Sequence, residues 1–510
     1  MNTTGLQRVG RRRSFLRRVI VVTTVYSGVS AVAVFVAFLL GWATFARTLP
    51  DPSGWHTDAP GGEFTSRDAA PGYTLDDYLR QEARLFDALD ALIDGVWRED
   101  AQRRFSRFNR ASVSFPGSGF ERNWNRTIVL EADAPRGGAL LVHGLSDSPY
   151  SLRAQAESLH ARGWTVVALR VPGHGTSPAA LVEASRHDWA AAVRIGVAGV
   201  RERIPDGAPL ALFGFSNGGA LCVDYTLDAM DDPSLAMPDA LVLYSPMIGI
   251  TPFAKITRLH HLIAWIPAFE KVRWSRIEEE IDPYKYASWP TGASEQAFLV
   301  TRRLASRLSA LAARGGYERM PPVLTFQSVV DSTISVPGLM DVLYERLPRG
   351  PSELVLFDLN RTPFFEDLLQ SDNEPFIRAR LDNPLLPYRL TLVTHAERAA
   401  PGEGEAGMLA RTRHGDALTD VALSLSWPPD VFSLSHGAVP ISVHDPILGV
   451  REATTAFPGP SLGSIMVRGE HGVLRVSEGL TMRLRHNPFY DYVEAKTDSW
   501  LREVIESSRP

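Results

Sequence analysis

Cysteine is almost absent. Cys222 stands alone among 510 residues, which excludes an intrachain disulfide and leaves packing as the source of stability. A basic excess is missing too: 53 Lys and Arg face 58 Asp and Glu, giving a formal net charge of −5, so the chain is no natural partner for nucleic acid. No internal repeat or long low-complexity tract runs through it. His260 and His261, the one histidine pair, lack cysteine or acid neighbours at metal-ligand spacing, and neither a metal nor a cofactor is expected. What remains, 45% hydrophobic and 22% charged residues, is a globular balance with enough apolar material for a sizeable core.

Charge is absent altogether from residues 19–46, "VIVVTTVYSGVSAVAVFVAFLLGWATFA", a run long enough to cross a bilayer core of about 30 Å as a helix. Arginines at 8, 11, 12, 13, 17 and 18 precede it, whereas only Arg47 closely follows. The positive-inside bias therefore places a basic N-terminus (1–18) in the cytoplasm and everything after the single span on the extracytoplasmic side. A cleaved signal peptide is the rival reading, but its apolar region is normally shorter, which favours an uncleaved anchor. Residues 47–72 are rich in Pro, Gly, Asp and Ser without apolar periodicity and read as a linker. Within 73–109, Tyr78, Leu79, Leu85, Leu89, Leu92 and Ile93 recur near helical spacing, predicting an amphipathic helix that lies on the protein surface or on the membrane.

From about residue 127 short apolar runs alternate with helical patterns. "GALLVHG", "TVVALRV", "LALFGF", "ALVLYSP", "VLTFQSVV" and "ELVLFDL" have the character of strands buried on both faces. The segments between them predict crossover helices, hence an α/β fold with a mostly parallel sheet covered on both sides. In such sheets the site lies beyond the carboxyl ends of the strands. There "LALFGFSNGG" leaves its strand and sets Ser216 between Gly214 and Gly218. A serine on a sharp strand-to-helix turn needs small residues two before and two after it, and the following helix aims its first amides at the hydroxyl.

The set "LLVHGLSDSP", "LRVPGHGTSP" and "GFSNGG", in this order, resembles the α/β-hydrolase superfamily, in the branch that holds monoacylglycerol lipases, carboxylesterases and serine-aminopeptidase-like hydrolases. The resemblance spans roughly residues 110–505. It implies that Ser216 is a nucleophile, that the backbone amides of Leu145 and Asn217 form an oxyanion hole, and that His143 and His174 are structural. A serine hydroxyl needs a histidine base oriented by a carboxylate, and the order is Ser, acid, His. Asp331, just past the strand "VLTFQSVV", is the acid; Asp341 falls on the next helix and Asp358 inside the next strand, so both fit worse.

The base departs from the family pattern, because no histidine follows "ELVLFDL" before His395. His395, His414, His436, His444, His471 and His486 are available, and His436, leaving a short apolar run in "VFSLSHGAVPISV" ahead of Gly437, has the best setting. Residues 360–430 are then an insertion that returns the chain to the site. The hydrolase core is expected in two parts, 110–246 and 321–510, separated by a helical cap over 247–320 built from "FAKITRLHHLIAWIPAFEKVRW" and "SEQAFLVTRRLASRLSALAA". The resulting expectation is a membrane-anchored serine hydrolase acting on a small carboxylic ester, with a lipid as one candidate. Amide or peptide cleavage and a non-catalytic scaffold of the same fold are the alternatives.

Overall fold

The computed structural model describes residues 3–507 apart from 117–119, 250–270, 272, 363–364, 366–373, 397–406, 451–461 and 464–482. Its centre is a sheet whose strands are β1 (Ile128–Leu130), β2 (Gly137–Val142), β3 (Trp164–Leu169), β4 (Leu210–Phe215) and β5 (Ala240–Tyr244) in the first half of the chain. A separate hairpin pairs β6 (Trp274–Arg276) with β7 (Trp289–Pro290). The main sheet resumes with β8 (Val323–Ser328), β9 (Glu353–Phe357), β10 (Arg389–His395), β11 (Met408–His414) and β12 (Ala417–Leu423). The order is β1-β3-β2-β4-β5-β8-β9-β10-β11-β12. All pairings from β3 to β10 are parallel, while β1, β11 and β12 add antiparallel edges.

Period-two alternation explains why the central strands read as unbroken apolar runs. In β4, Leu210 and Leu212 enter one core while Ala211, Phe213 and Phe215 enter the other, and Leu140 and Val142 of β2 are likewise separated from Ala139 and Leu141. One face is covered by the helices Arg186–Arg201, Asn217–Asp231 and Thr291–Ala313, the other by Arg153–Ala161 and Tyr490–Ser507. Because β3 and β4 lie on opposite sides of β2, the chain reverses direction of travel there. The crevice that opens at their carboxyl ends is where an α/β sheet places its site.

Three expectations change. Residues 47–72 are not a free linker: Trp55 and Phe64 are 1% and 2% exposed, and Glu63 reaches the buried Arg170 guanidinium at 2.8 Å. Scattered anchors of this kind leave no local periodicity, so composition alone misleads. The span 360–430 is not a detached insertion, since β10 continues the parallel sheet beside β9 and β11–β12 extend its edge. In the cap, the helix Thr291–Ala313 matches its pattern, but Trp274 lies in a strand, and residues 253–270 of the other expected helix, with His260 and His261, lie outside the described residues.

The amphipathic pattern of 73–109 becomes the helix Leu75–Asp94. Thr74 caps it: its hydroxyl accepts the Asp77 N–H at 3.2 Å while the Asp77 carboxylate accepts the Thr74 N–H at 2.9 Å. Its apolar face is covered by the domain, with Tyr78 donating its hydroxyl to the Arg170 carbonyl at 2.7 Å, so that face is not free to lie on a bilayer. Helix Thr3–Thr48 carries the one stretch among the described residues long and apolar enough to cross a membrane, Ile20–Phe38, with a mean hydropathy of 2.1.

Candidate active site

Ser216 stands where β4 turns into the helix Asn217–Asp231, with φ 53° and ψ −115°, a conformation that L-residues rarely adopt. The turn is clamped from both sides: the Ser216 N–H donates to the Tyr244 carbonyl at 3.0 Å and its carbonyl accepts the Met247 N–H at 2.9 Å. The neighbouring glycines are required by space. A Cβ on Gly218 would sit 2.0 Å from the Val142 carbonyl oxygen, and one on Gly214 would sit 2.5 Å from the Gly219 Cα.

His436 meets this hydroxyl from 220 residues further along the chain. Its Nε2 lies 2.9 Å from Ser216 Oγ, and its Nδ1 lies 2.7 Å from Asp331 Oδ2. With the Asp331 carboxylate accepting a hydrogen bond from Nδ1–H, Nε2 is left as the nitrogen that can accept one from the Ser216 hydroxyl. Asp331 sits in the loop between β8 and the helix Val336–Val342, where its other oxygen accepts the N–H groups of Thr333 (2.8 Å) and Ile334 (3.0 Å). Burial works to raise this carboxyl, but His436 and the two amides outweigh it and hold the group below the ordinary aspartate range. The Phe215 ring lies 5.5 Å from the imidazole, centroid to centroid, and limits its movement.

The loop that delivers His436 is tied to β9. The Asn360 N–H donates to the Phe432 carbonyl at 2.8 Å and its side-chain amide donates to Val431 at 2.9 Å. Ala438 N–H donates to the Ser435 carbonyl across the tip, and Asn487 braces the far side through Val439 and Ile441. Neither Asn360 nor Phe215 was singled out in the sequence, and nothing local distinguishes them. Of the remaining histidines, His444 is on the surface and its neighbour Asp445 binds Tyr150 and Arg153, His395 ends β10 beside another cavity, and His486 is buried against the Leu448 carbonyl. His414 is the last residue of β11, and His471 lies outside the described residues. Asp358 follows β9 and is paired with Arg361, and Asp341 is on the helix Val336–Val342.

Asn217 is the first residue of its helix, so its amide has no intrahelical acceptor and points, with the helix dipole, toward the serine end. Leu145 follows β2 in the adjacent loop, where Gly144 permits the close approach: a Cβ there would lie 2.9 Å from the Phe215 ring. Leu145, Ser216 and His436 line one cavity of about 340 Å³. His143 and His174 pack the loops beneath it. The former accepts the Val171 N–H through Nε2 at 3.0 Å, and burial holds the latter down at about 4.

Residues 133–305 match the family described as serine aminopeptidase, S33. A thermostable monoacylglycerol lipase from Bacillus sp. (strain H-257) is 24% identical over 220 residues, covering 43% of this chain and 79% of that protein. Among solved structures, a study of the metagenome-derived lipolytic enzymes LipS and LipT supplies one that is 21% identical, covers 50% of this chain and 98% of its own, and has a TM-score of 0.35. The monoacylglycerol lipase of Paleococcus ferrophilus is 20% identical over 46% of this chain and 88% of its own, with a TM-score of 0.34. The S33 match contains the β2 and β4 turns but ends before Asp331 and His436. By its strand order, its glycine-flanked turn and these sequence matches, the chain belongs to the α/β-hydrolase superfamily, in the lipase- and esterase-like branch that also holds the serine-aminopeptidase-like hydrolases.

Proposed function

We propose that the chain is a membrane-anchored serine hydrolase of carboxylic esters. The observation that carries this reading is the hydrogen-bonded series Ser216 Oγ, His436 Nε2, His436 Nδ1, Asp331 Oδ2, with separations of 2.9 and 2.7 Å. Ser216 Oγ attacks the ester carbonyl as its proton passes to His436 Nε2, and the tetrahedral oxyanion takes hydrogen bonds from the amides of Leu145 and Asn217. Collapse breaks the ester C–O bond, and the leaving alcohol receives the proton held at Nε2. Water then attacks the acyl-serine by the same route, releasing the acid and restoring Ser216. Asp331 stays ionised throughout and orients the imidazole.

Labelling with a fluorophosphonate probe tests the nucleophile. Wild-type protein is expected to be labelled and Ser216→Ala not; folded wild-type protein that resists the probe would leave the scaffold alternative standing. A panel of p-nitrophenyl esters of rising chain length then reads acyl preference. The S33 match favours a second substrate type, the amide bond, and the corresponding anilides measure it on the same protein.

The N-terminal span is read as an uncleaved anchor with the domain on the extracytoplasmic side, supported by the length of the apolar helix and the arginines before it. Protease digestion of intact and opened spheroplasts carrying a C-terminal tag tests it: cleavage of the tag in intact spheroplasts is expected.

A further inference from the structure

The cavity at Ser216 has a charged wall whose sign is uneven. Among the described residues, Arg276, Lys285, Arg483 and Arg485 line it with Asp147 and Asp282, and Arg276 is itself paired with the buried Glu278 at 3.4 Å. Asp147 and Asp282 are almost wholly buried, 7% and 6% exposed, whereas the Lys285 side chain is 42% exposed. Lys285 Nζ rests on Asp147 at 2.7 Å, and an Arg485 guanidinium nitrogen lies 3.3 Å from Asp282. Asp282 joins the two, since its other oxygen accepts the N–H groups of Tyr284 (3.0 Å) and Lys285 (3.2 Å). In each pair the acid side chain is the more buried member, 9% exposed against 42% for Lys285 and 9% against 17% for Arg485. Both pairs line the same cavity as Ser216 and His436.

Apolar side chains of Leu145, Met247, Trp289, Phe298 and Ile334 share the same cavity. An uncharged ester would make no charge-assisted hydrogen bond with these two acid-anchored cations. We propose that Lys285 and Arg485 recognise an anionic group on the substrate, so that the ester cleaved at Ser216 is an amphiphile with an apolar acyl chain and a phosphate or carboxylate on its alcohol side. This rests on the reading of the cavity as the substrate site. Charge-assisted hydrogen bonds from a lysine and an arginine select an oxyanion over a neutral glycerol-like group, and the apolar wall accepts the chain.

Binding to the full-length Ser216→Ala protein in neutral detergent tests the proposal without turnover. Three non-identical probes share one chain: hexylglycerol ether, its phosphate and its hemisuccinate. At least one anionic probe is expected to bind about tenfold or more tightly than the neutral ether, and which of the two does so identifies phosphate or carboxylate. The preference is expected to disappear in Lys285→Met/Arg485→Met. Because Lys285→Met leaves Asp147 buried without its cation, Lys285→Met/Asp147→Asn serves as the balanced variant, in which the preference should also fall. Equal binding of all three probes by the parent protein, or variants that weaken neutral and anionic probes alike, overturns the proposal. Anion-selective binding in a protein whose wild-type Ser216 never labels would instead overturn the hydrolase reading alone.

Discussion

Ser216 shows how much local geometry one residue can demand. Its left-handed backbone and the two flanking glycines form a unit, since the Val142 carbonyl that a Gly218 Cβ would meet at 2.0 Å is backbone and has no rotamer to escape into. Gly218→Ala is therefore expected to destabilise the domain by about 1–3 kcal/mol and to abolish fluorophosphonate labelling, read by thermal melting and gel fluorescence. Asp331→Asn preserves shape but leaves Nδ1 without its anionic acceptor, and kcat on a soluble ester is expected to fall by roughly 10⁴ with the melting temperature little changed. Acid sensitivity comes from other residues. His56 and His174 are buried, and burial is the chief reason each is held down to about 4 from an ordinary value of 6.5. Between these values the unfolded chain binds more protons than the folded one, so stability rises with pH across that window and is lost as pH falls from 6.5 toward 4, on the order of 3 kcal/mol for each. The melting temperature is expected to drop steadily from about pH 7 to about pH 5, and a flat profile would contradict the buried neutral imidazoles.

At the scale of elements, two segments with little regular structure do much of the positioning. The stretch between the helices Thr3–Thr48 and Leu75–Asp94 is fastened to the sheet by Arg170, which is 1% exposed and binds Glu63 of that stretch at 2.8 Å and Glu82 of the second helix at 2.9 Å. His56 extends the fastening to the cap, with Nε2 2.9 Å from Ser288 Oγ and its ring 5.1 Å from Trp274. Glu82→Leu leaves Arg170 paired with Glu63 but removes the acceptor of its Nε–H and of the Thr127 N–H, so it is expected to cost about 1–3 kcal/mol, measured by denaturant unfolding. The second segment is the loop carrying His436. Asn360→Ala deletes its side-chain hydrogen bond to Val431. A base displaced by even an ångström loses effective alignment, and turnover is expected to fall up to about 10²-fold while Ser216 still labels slowly.

For the whole molecule, the apolar helix and the domain are separable in their physics. Val21, Val25, Val29, Val32 and Val36 are exposed along Thr3–Thr48, and none of the helix's described side chains belongs to the three buried cores. Deleting residues 1–48 is expected to move the protein from the membrane fraction to the soluble one with kcat on a short soluble ester unchanged, checked by fractionation and by assay. The short ester isolates chemistry from delivery, because an amphiphilic substrate in a bilayer would be reached less readily by the released domain.

Legibility in the sequence followed range. Strands β2, β3, β4, β5, β8 and β9, the crossover helices and Ser216 were all visible, because burial on both faces and a glycine-flanked turn are imposed by neighbours a few positions away. Trp55 and Phe64 were not, since what buries them lies far along the chain. Strands β11 and β12 were hidden as well: Ala417–Val421 are exposed in β12, so no apolar run announces an edge strand.

Residue order alone thus determined an α/β chain with an apolar N-terminal helix and a serine poised on a strained turn, since each depends on short-range sterics or on hydrophobic period. Only the tertiary structure decided which imidazole faces that serine and that Lys285 and Arg485 share its cavity. Those pairings are set by packing between segments hundreds of residues apart, where the sheet order and the loop clamps, rather than any local preference, choose the partner.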